Sequence, residues 1–186
     1  MDVLILAGGK SSRMGGKHKG NLEFGGETFT QRLINEMSKI SERIWISYGE
    51  EVHKVYEGCE IVHDLFENCG PMGGIHAGLK KAESEIMFVV ACDMPFMQAE
   101  FVKMLELHMD GDTDIVVPVC NDRMQPSAAI YKKTVLPILE KQLENGNYKL
   151  RSMFDKLQIS YVEIEDESLK KMFQNINTMD EYKEIL

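Results

Sequence analysis

The strongest constraint on this chain is its opening, where five consecutive apolar residues, Val3-Leu4-Ile5-Leu6-Ala7, stop at Gly8-Gly9. A short apolar run bounded by glycine reads as a strand buried on both faces, and such strands belong to parallel sheets covered by helices. Beyond the glycines, Lys10, Arg13, Lys17 and Lys19 gather around Gly15 and Gly16. Glycine has no Cβ and takes positive φ readily, so backbone N–H groups there can approach phosphate oxygens while the cations neutralise them. No acidic residue lies between Asp2 and Glu23, although the chain carries a net charge of −9. The segment is a positive island in an acidic protein, read either as a phosphate cradle or as a basic surface loop.

Two familiar phosphate loops are excluded by spacing. Counting back from Gly9-Lys10-Ser11 places Leu4 where a Walker A glycine must stand, and Gly16-Lys17 is followed by His18 rather than Ser or Thr. The dinucleotide fingerprint Gly-x-Gly-x-x-Gly is also missing from this stretch.

Later strands carry carboxylates at their C-terminal ends, where ligands bind in open α/β sheets. Residues 86–91 (IMFVVA) form the clearest central strand and run into Cys92-Asp93-Met94-Pro95. An Asp at the tip of a buried strand suits a hard cation such as Mg²⁺; the competing role is to cap the helix beginning near Gln98. Residues 60–63 form another strand ending at Asp64, which is either a ligand contact or a solvated turn residue. Gly70-Pro71-Met72-Gly73-Gly74 predicts a tight turn into a helix over 75–82, with the glycine pair open to close approach at the helix N-terminus.

The rest alternates helix and strand. Phe29, Leu33, Ile34, Met37 and Ile40 share one face of a helix capped by Thr28. We expect a strand over 43–48, a short helix over 50–56, a helix over 98–109 and a hairpin of strands 114–119 and 127–131 over the edge carrying Asp93. A helix over 134–143, a short amphipathic helix after Arg151, an edge strand over 158–164 and a capping box from Thr178 to Glu181 complete the chain. This order predicts a single domain over residues 1–186: three-layer α/β, around a mostly parallel sheet.

A chain of 186 residues with 44% hydrophobic and 27% charged residues is composed like an ordinary soluble protein. Net negative charge without a basic face argues against nucleic acid, and no run approaches the ~20 apolar residues of a membrane span. Cys59, Cys69, Cys92 and Cys120 have no Cys-x-x-Cys spacing. With an N-terminal run too short for a secretory signal, this points to a reduced, cytoplasmic setting.

The block LAGGKSSRMGGKHKG, with Gly-Pro at 70–71, Cys-Asp-x-Pro at 92–95 and Asn-x-Asn-Thr at 175–178, resembles the MobA-type family, the molybdenum cofactor guanylyltransferases among the small nucleotidyltransferases. The resemblance runs from Leu6 to Glu181 and implies a Rossmann-like nucleotidyltransferase fold. It implies GMP transfer from GTP to the phosphate of molybdopterin with release of pyrophosphate, Mg²⁺ as cofactor, and other molybdenum cofactor assembly proteins as partners. Carried over residue by residue, it places Leu6, Ala7, Gly8, Gly9, Lys19, Ser47, Asp64, Gly70, Pro71, Gly74 and Asp93 at the nucleotide. Arg13, Lys19 and Asp93 take catalytic roles, Asp93 the metal, and Gln125, Asn175 and Asn177 the acceptor. Two positions depart: His18 stands where the family usually has Asp, and Ser47 where it often has Asn. Transfer of another nucleotide, such as cytidylyl, and a non-catalytic nucleotide-binding module are the alternatives at this stage.

Overall fold

The structure, a computed structural model, describes residues 1–8, 19–49 and 51–186. Its strands are β1 (Asp2–Leu6), β2 (Glu23–Phe24), β3 (Glu27–Thr28), β4 (Ile44–Ser47), β5 (Cys59–Val62), β6 (Ile86–Ala91), β7 (Ile115–Cys120), β8 (Arg123–Met124), β9 (Ala128–Lys132) and β10 (Ile159–Ile164). Its α-helices are α1 (Phe29–Met37), α2 (Pro71–Lys81), α3 (Ala99–Glu106), α4 (Leu136–Glu144), α5 (Glu167–Lys170) and α6 (Met179–Glu184).

The main sheet has the order β10-β7-β9-β6-β1-β4-β5, with β8 folded onto β7. β1 is parallel to both β4 and β6, β4 to β5, and β7 to β10. β9 alone among the long strands runs antiparallel, between β6 and β7. The reason is chain length: a parallel return needs a crossover of about a dozen residues or more. Residues 121–127 are too few for that. They turn instead through Asn121 and Asp122, at φ 51° and 58°, the geometry of a tight hairpin.

Alternation along the strands builds two cores. Val3 and Ile5 of β1 with Phe88 and Val90 of β6 pack against Leu33, Ile34 and Met37 of α1 and Phe101, Val102 and Leu105 of α3. Leu4 and Leu6 with Met87 and Val89 face the other way, onto Met72, Ile75 and Leu79 of α2 and Leu139 and Leu143 of α4. Helices therefore cover both faces of a mostly parallel sheet, the three-layer α/β arrangement. Among the described residues no helix is long and apolar enough to cross a membrane.

Two local expectations are corrected. No helix forms over 51–56: Val52 and Val55 face solvent at 38% and 70% exposure, and of these six residues Tyr56 alone is buried. The segment is held by single anchors, among them the Tyr48 hydroxyl donating to the Lys54 carbonyl, and Tyr56 and Thr28 sharing a hydroxyl–hydroxyl bond of 3.2 Å. The helix after the glycine-rich turn begins at Pro71, not at 75, with Gly70 at the N-cap. Proline is well suited to the first helical turn, where its missing N–H leaves no bond unmade.

That earlier start changes what the glycines do. A Cβ on Gly74 would stand 2.7 Å from both Leu6 Cδ2 and Ser47 Oγ, and one on Gly73 would stand 2.9 Å from Asp64 Oδ2. Gly74 lets α2 lie directly on the ends of β1 and β4, and Gly73 lets it approach Asp64 and Phe66 just past β5.

Candidate active site

Sheet register brings the predicted residues to one edge. Leu6 pairs with Ser47 on one side and Ala91 on the other, and Ser47 pairs with Val62. The chain therefore leaves the sheet at Ala7, Tyr48, His63 and Cys92 side by side. The Ala7 N–H donates to the Ser47 carbonyl at 2.7 Å, and the Cys92 N–H to the Leu6 carbonyl at 2.9 Å. Gly8 passes so close to β4 that a Cβ would lie 2.9 Å from the Tyr48 carbonyl oxygen. Gly9 and Arg13, like His18, lie outside the described residues.

At the β6 end, Lys19 Nζ donates to Asp93 Oδ2 at 3.2 Å and to Asn177 Oδ1 at 2.5 Å. Asp93 caps no helix. The N-cap of α3 is Gln98, and the Ala99 N–H is taken by Glu36 Oε2 at 3.2 Å. Ile176, between Asn175 and Asn177, donates its N–H to the Asp93 carbonyl at 2.9 Å, pinning this segment against the strand end. Asn175 itself is exposed. The hairpin places Gln125 at the same edge, its N–H on the Pro118 carbonyl at 2.8 Å, while the Ala91 N–H reaches the Ser127 carbonyl at 2.9 Å. The neighbouring Cys92 is buried, and burial pushes its thiol up to about 12, away from the thiolate form.

At the β4 and β5 ends, Ser47 Oγ donates to Asp64 Oδ1 at 2.9 Å, against Gly73 and Gly74 of α2. Asp64 is half-buried rather than a solvated turn residue. Burial raises its carboxyl above the ordinary carboxylate range, against the opposing pull of the Ser47 hydrogen bond and the charges of His63 and His76. β5 and β6 are three strand spacings apart, so Asp64 and Asp93 stand about 14 Å apart along the sheet edge. They cannot share one small cation.

His76 escaped sequence reasoning. It is fully buried on α2, its ring edge-on to Phe66 at 5.1 Å and its Nε2 3.5 Å from Glu140 Oε1. Burial holds its pKa below the usual histidine value, with Glu140 pulling the other way. No spacing signalled this, because a histidine in a helix reads as surface until the neighbouring helix is known. Nor did sequence show that Asn177, assigned to the acceptor, meets Lys19.

Asp93 fits the metal expectation as a single half-buried carboxylate. Among the described residues no cluster of three or more His, Cys, Asp or Glu side chains is placed to hold a metal ion. Mg²⁺ in phosphate sites characteristically takes one or two carboxylates, with phosphate and water oxygens completing the shell.

Comparison with known proteins places the chain in a family. A protein of Clostridium perfringens described as a probable molybdenum cofactor guanylyltransferase is 38% identical over 188 residues, covering 98% of this chain and 94% of its own. The molybdenum cofactor guanylyltransferase of Vibrio atlanticus is 36% identical over 179 residues, covering 96% and 91%. The solved molybdopterin-guanine dinucleotide biosynthesis protein A of Archaeoglobus fulgidus superimposes with a TM-score of 0.83 at 24% identity, covering 100% of this chain and 96% of its own, which establishes the shared fold. The model of the MobA-like NTP transferase domain matches residues 3–161, the stretch from β1 into β10 that carries Lys19, Asp64 and Asp93, and the chain belongs to that family.

Proposed function

We propose that this protein transfers GMP from GTP to the phosphate of molybdopterin, releasing pyrophosphate and forming the guanine dinucleotide. The observation that carries the reading is Lys19 held between Asp93 and Asn177 at the edge where the phosphate loop leaves β1. The relatives' name, molybdenum cofactor guanylyltransferase, supports guanylyl transfer to that cofactor.

The acceptor phosphate monoester is anionic near neutral pH and attacks the α-phosphorus in line, so no general base is needed. Its oxygen forms the new P–O bond as the bond to the β-phosphate oxygen breaks, and pyrophosphate leaves. The barrier is electrostatic, since two anions meet and charge builds on the leaving group. Lys19 supplies positive charge there, with Arg13 and the N–H groups of Gly8 and Gly9 assigned to the same phosphates. Asp93 is the residue to hold Mg²⁺, which when bound neutralises phosphate charge. At the far end of the site, the Asp64 carboxylate offers acceptor lone pairs to the paired N–H donors on the guanine edge, with Ser47 holding its other oxygen. Gln125 and Asn175 flank the acceptor side. The cytoplasm, where GTP is available and thiols stay reduced, is the proposed setting, with other cofactor assembly proteins as partners.

The test is mass spectrometry of the product from molybdopterin incubated with GTP or CTP, with and without Mg²⁺. Formation of the guanine dinucleotide supports the reading. A cytosine product instead overturns the base assignment, and no product with either nucleotide overturns nucleotidyl transfer.

A further inference from the structure

Lys19 and Asn177 lie 158 positions apart, so what brings the asparagine to the lysine must come from the C-terminal segment itself. Glu181 Oε2 accepts the N–H groups of Asn177 at 2.7 Å and Thr178 at 2.8 Å, while the Glu181 N–H donates to Thr178 Oγ1 at 3.2 Å. One carboxylate oxygen thus fixes the backbone on both sides of the Asn177 carbonyl. The same segment also holds Asp93, the other partner of Lys19, and the chain just past Lys19. Ile176 is fully buried with Leu22 and Phe29, just past Lys19, and its N–H holds the Asp93 carbonyl. The Tyr182 hydroxyl donates to the Glu23 carbonyl at 2.7 Å.

From this chain of contacts we infer that Glu181 is a positioning residue for Lys19, acting through Asn177, and is more than a helix cap. The inference rests on the phosphate-binding role proposed for Lys19. An ammonium has three N–H donors; Asp93 and Asn177 take two, which aims the third at a phosphate oxygen. Without Glu181 the asparagine swings free. Lys19 must then be ordered afresh for each anion it binds, an entropic cost of fixing a long side chain.

Charge predicts the opposite sign. Glu181 faces Lys19 as a second negative group, so if it acted only through its field, removing it would strengthen anion binding. The experiment is calorimetric titration of inorganic tripolyphosphate into wild type, Glu181→Ala, Glu181→Gln and Thr178→Ala, each also in a Lys19→Ala background. Glu181→Ala should weaken binding about tenfold in the wild-type background and leave it nearly unchanged when Lys19 is gone, as expected of residues coupled in one network. Glutamine keeps an acceptor for the two amides and should restore most of the affinity. Thr178→Ala, which removes only the other half of the capping box, should lose less. Asn177→Ala leaves Glu181 and the helix cap in place and must reproduce the loss, so the inference stays testable even where Glu181→Ala fails to fold.

Tighter binding by Glu181→Ala, an equal loss with and without Lys19, or a Thr178→Ala loss matching it would overturn the inference. No tripolyphosphate binding by wild type would overturn both it and the role of Lys19. The base plays no part in this probe, so a preference for CTP over GTP in a parallel titration would overturn the guanylyl assignment while the tripolyphosphate cycle still decided Glu181.

Discussion

Replacing Gly74 with alanine places a methyl group where there is no room for one. Its Cβ would stand 2.7 Å from Leu6 Cδ2 and Ser47 Oγ, and 3.2 Å from Ser47 Cβ, against an ordinary carbon contact of about 3.5–4.0 Å. Leu6 and Ser47 are only 7% and 3% exposed, so neither can swing into solvent to relieve the overlap. Overpacking of this kind costs about 1–3 kcal/mol. Alanine's better helix propensity returns about 0.8–1 kcal/mol of that. The net is a loss of up to about 2 kcal/mol, which for a domain of this size lowers Tm by up to about 8 °C. Relieving the overlap displaces Ser47 Oγ or the helix turn packed on Asp64, which disturbs the 2.9 Å Ser47–Asp64 bond, and nucleotide affinity should fall as well. Differential scanning calorimetry and GTP titration on Gly74→Ala read both effects, with Gly111→Ala as the control because no neighbouring heavy atom would meet its Cβ within 4 Å. A Gly74→Ala protein as stable as wild type, with GTP affinity unchanged, would refute the argument that α2 lies directly on the strand ends.

Lys19→Ala should lower kcat/KM by about 2–4 kcal/mol of transition-state stabilisation. Its Tm should hardly move, because a partly exposed ion pair contributes at most about 1 kcal/mol. Steady-state kinetics beside a melting curve separates the two. Asp93→Asn should lose activity and any Mg²⁺-dependent nucleotide shift while melting close to wild type, as expected of a carboxylate that caps no helix; a collapsed variant would return it to a structural role. At the opposite edge of the sheet, buried Asp2 accepts from the Ser84 hydroxyl at 2.7 Å and from the Glu83 and Ser84 N–H groups at 2.9 and 3.3 Å. Burial pushes its carboxyl up, but these bonds and the Arg43 charge outweigh that and hold it below the ordinary aspartate value. Its stabilisation is therefore present above that value and lost as pH falls through the lowered one. Asp2→Ala should cost about 1–3 kcal/mol at neutral pH, and urea unfolding should show the gap to wild type closing in acid.

Much of the architecture is local and so was legible before any coordinates. The apolar runs at 3–7 and 86–91 can only be strands covered on both faces, and α1 and α6 begin where Thr28 and Thr178 supply caps, the latter completed by Glu181. Strand ends carrying Asp64 and Asp93 follow from the same reading, since a polar residue after such a run must leave the sheet. The tertiary structure decided what depends on partners remote in sequence. It determined how closely Gly73 and Gly74 approach the strand ends, which of residues 51–56 is buried, and where an antiparallel β9 inserts. It alone brought Asn177 to Lys19 and His76 to Glu140. A chain's local propensities and apolar periodicity reside in neighbouring residues, whereas a close approach or a buried polar contact exists only once distant segments share the same space.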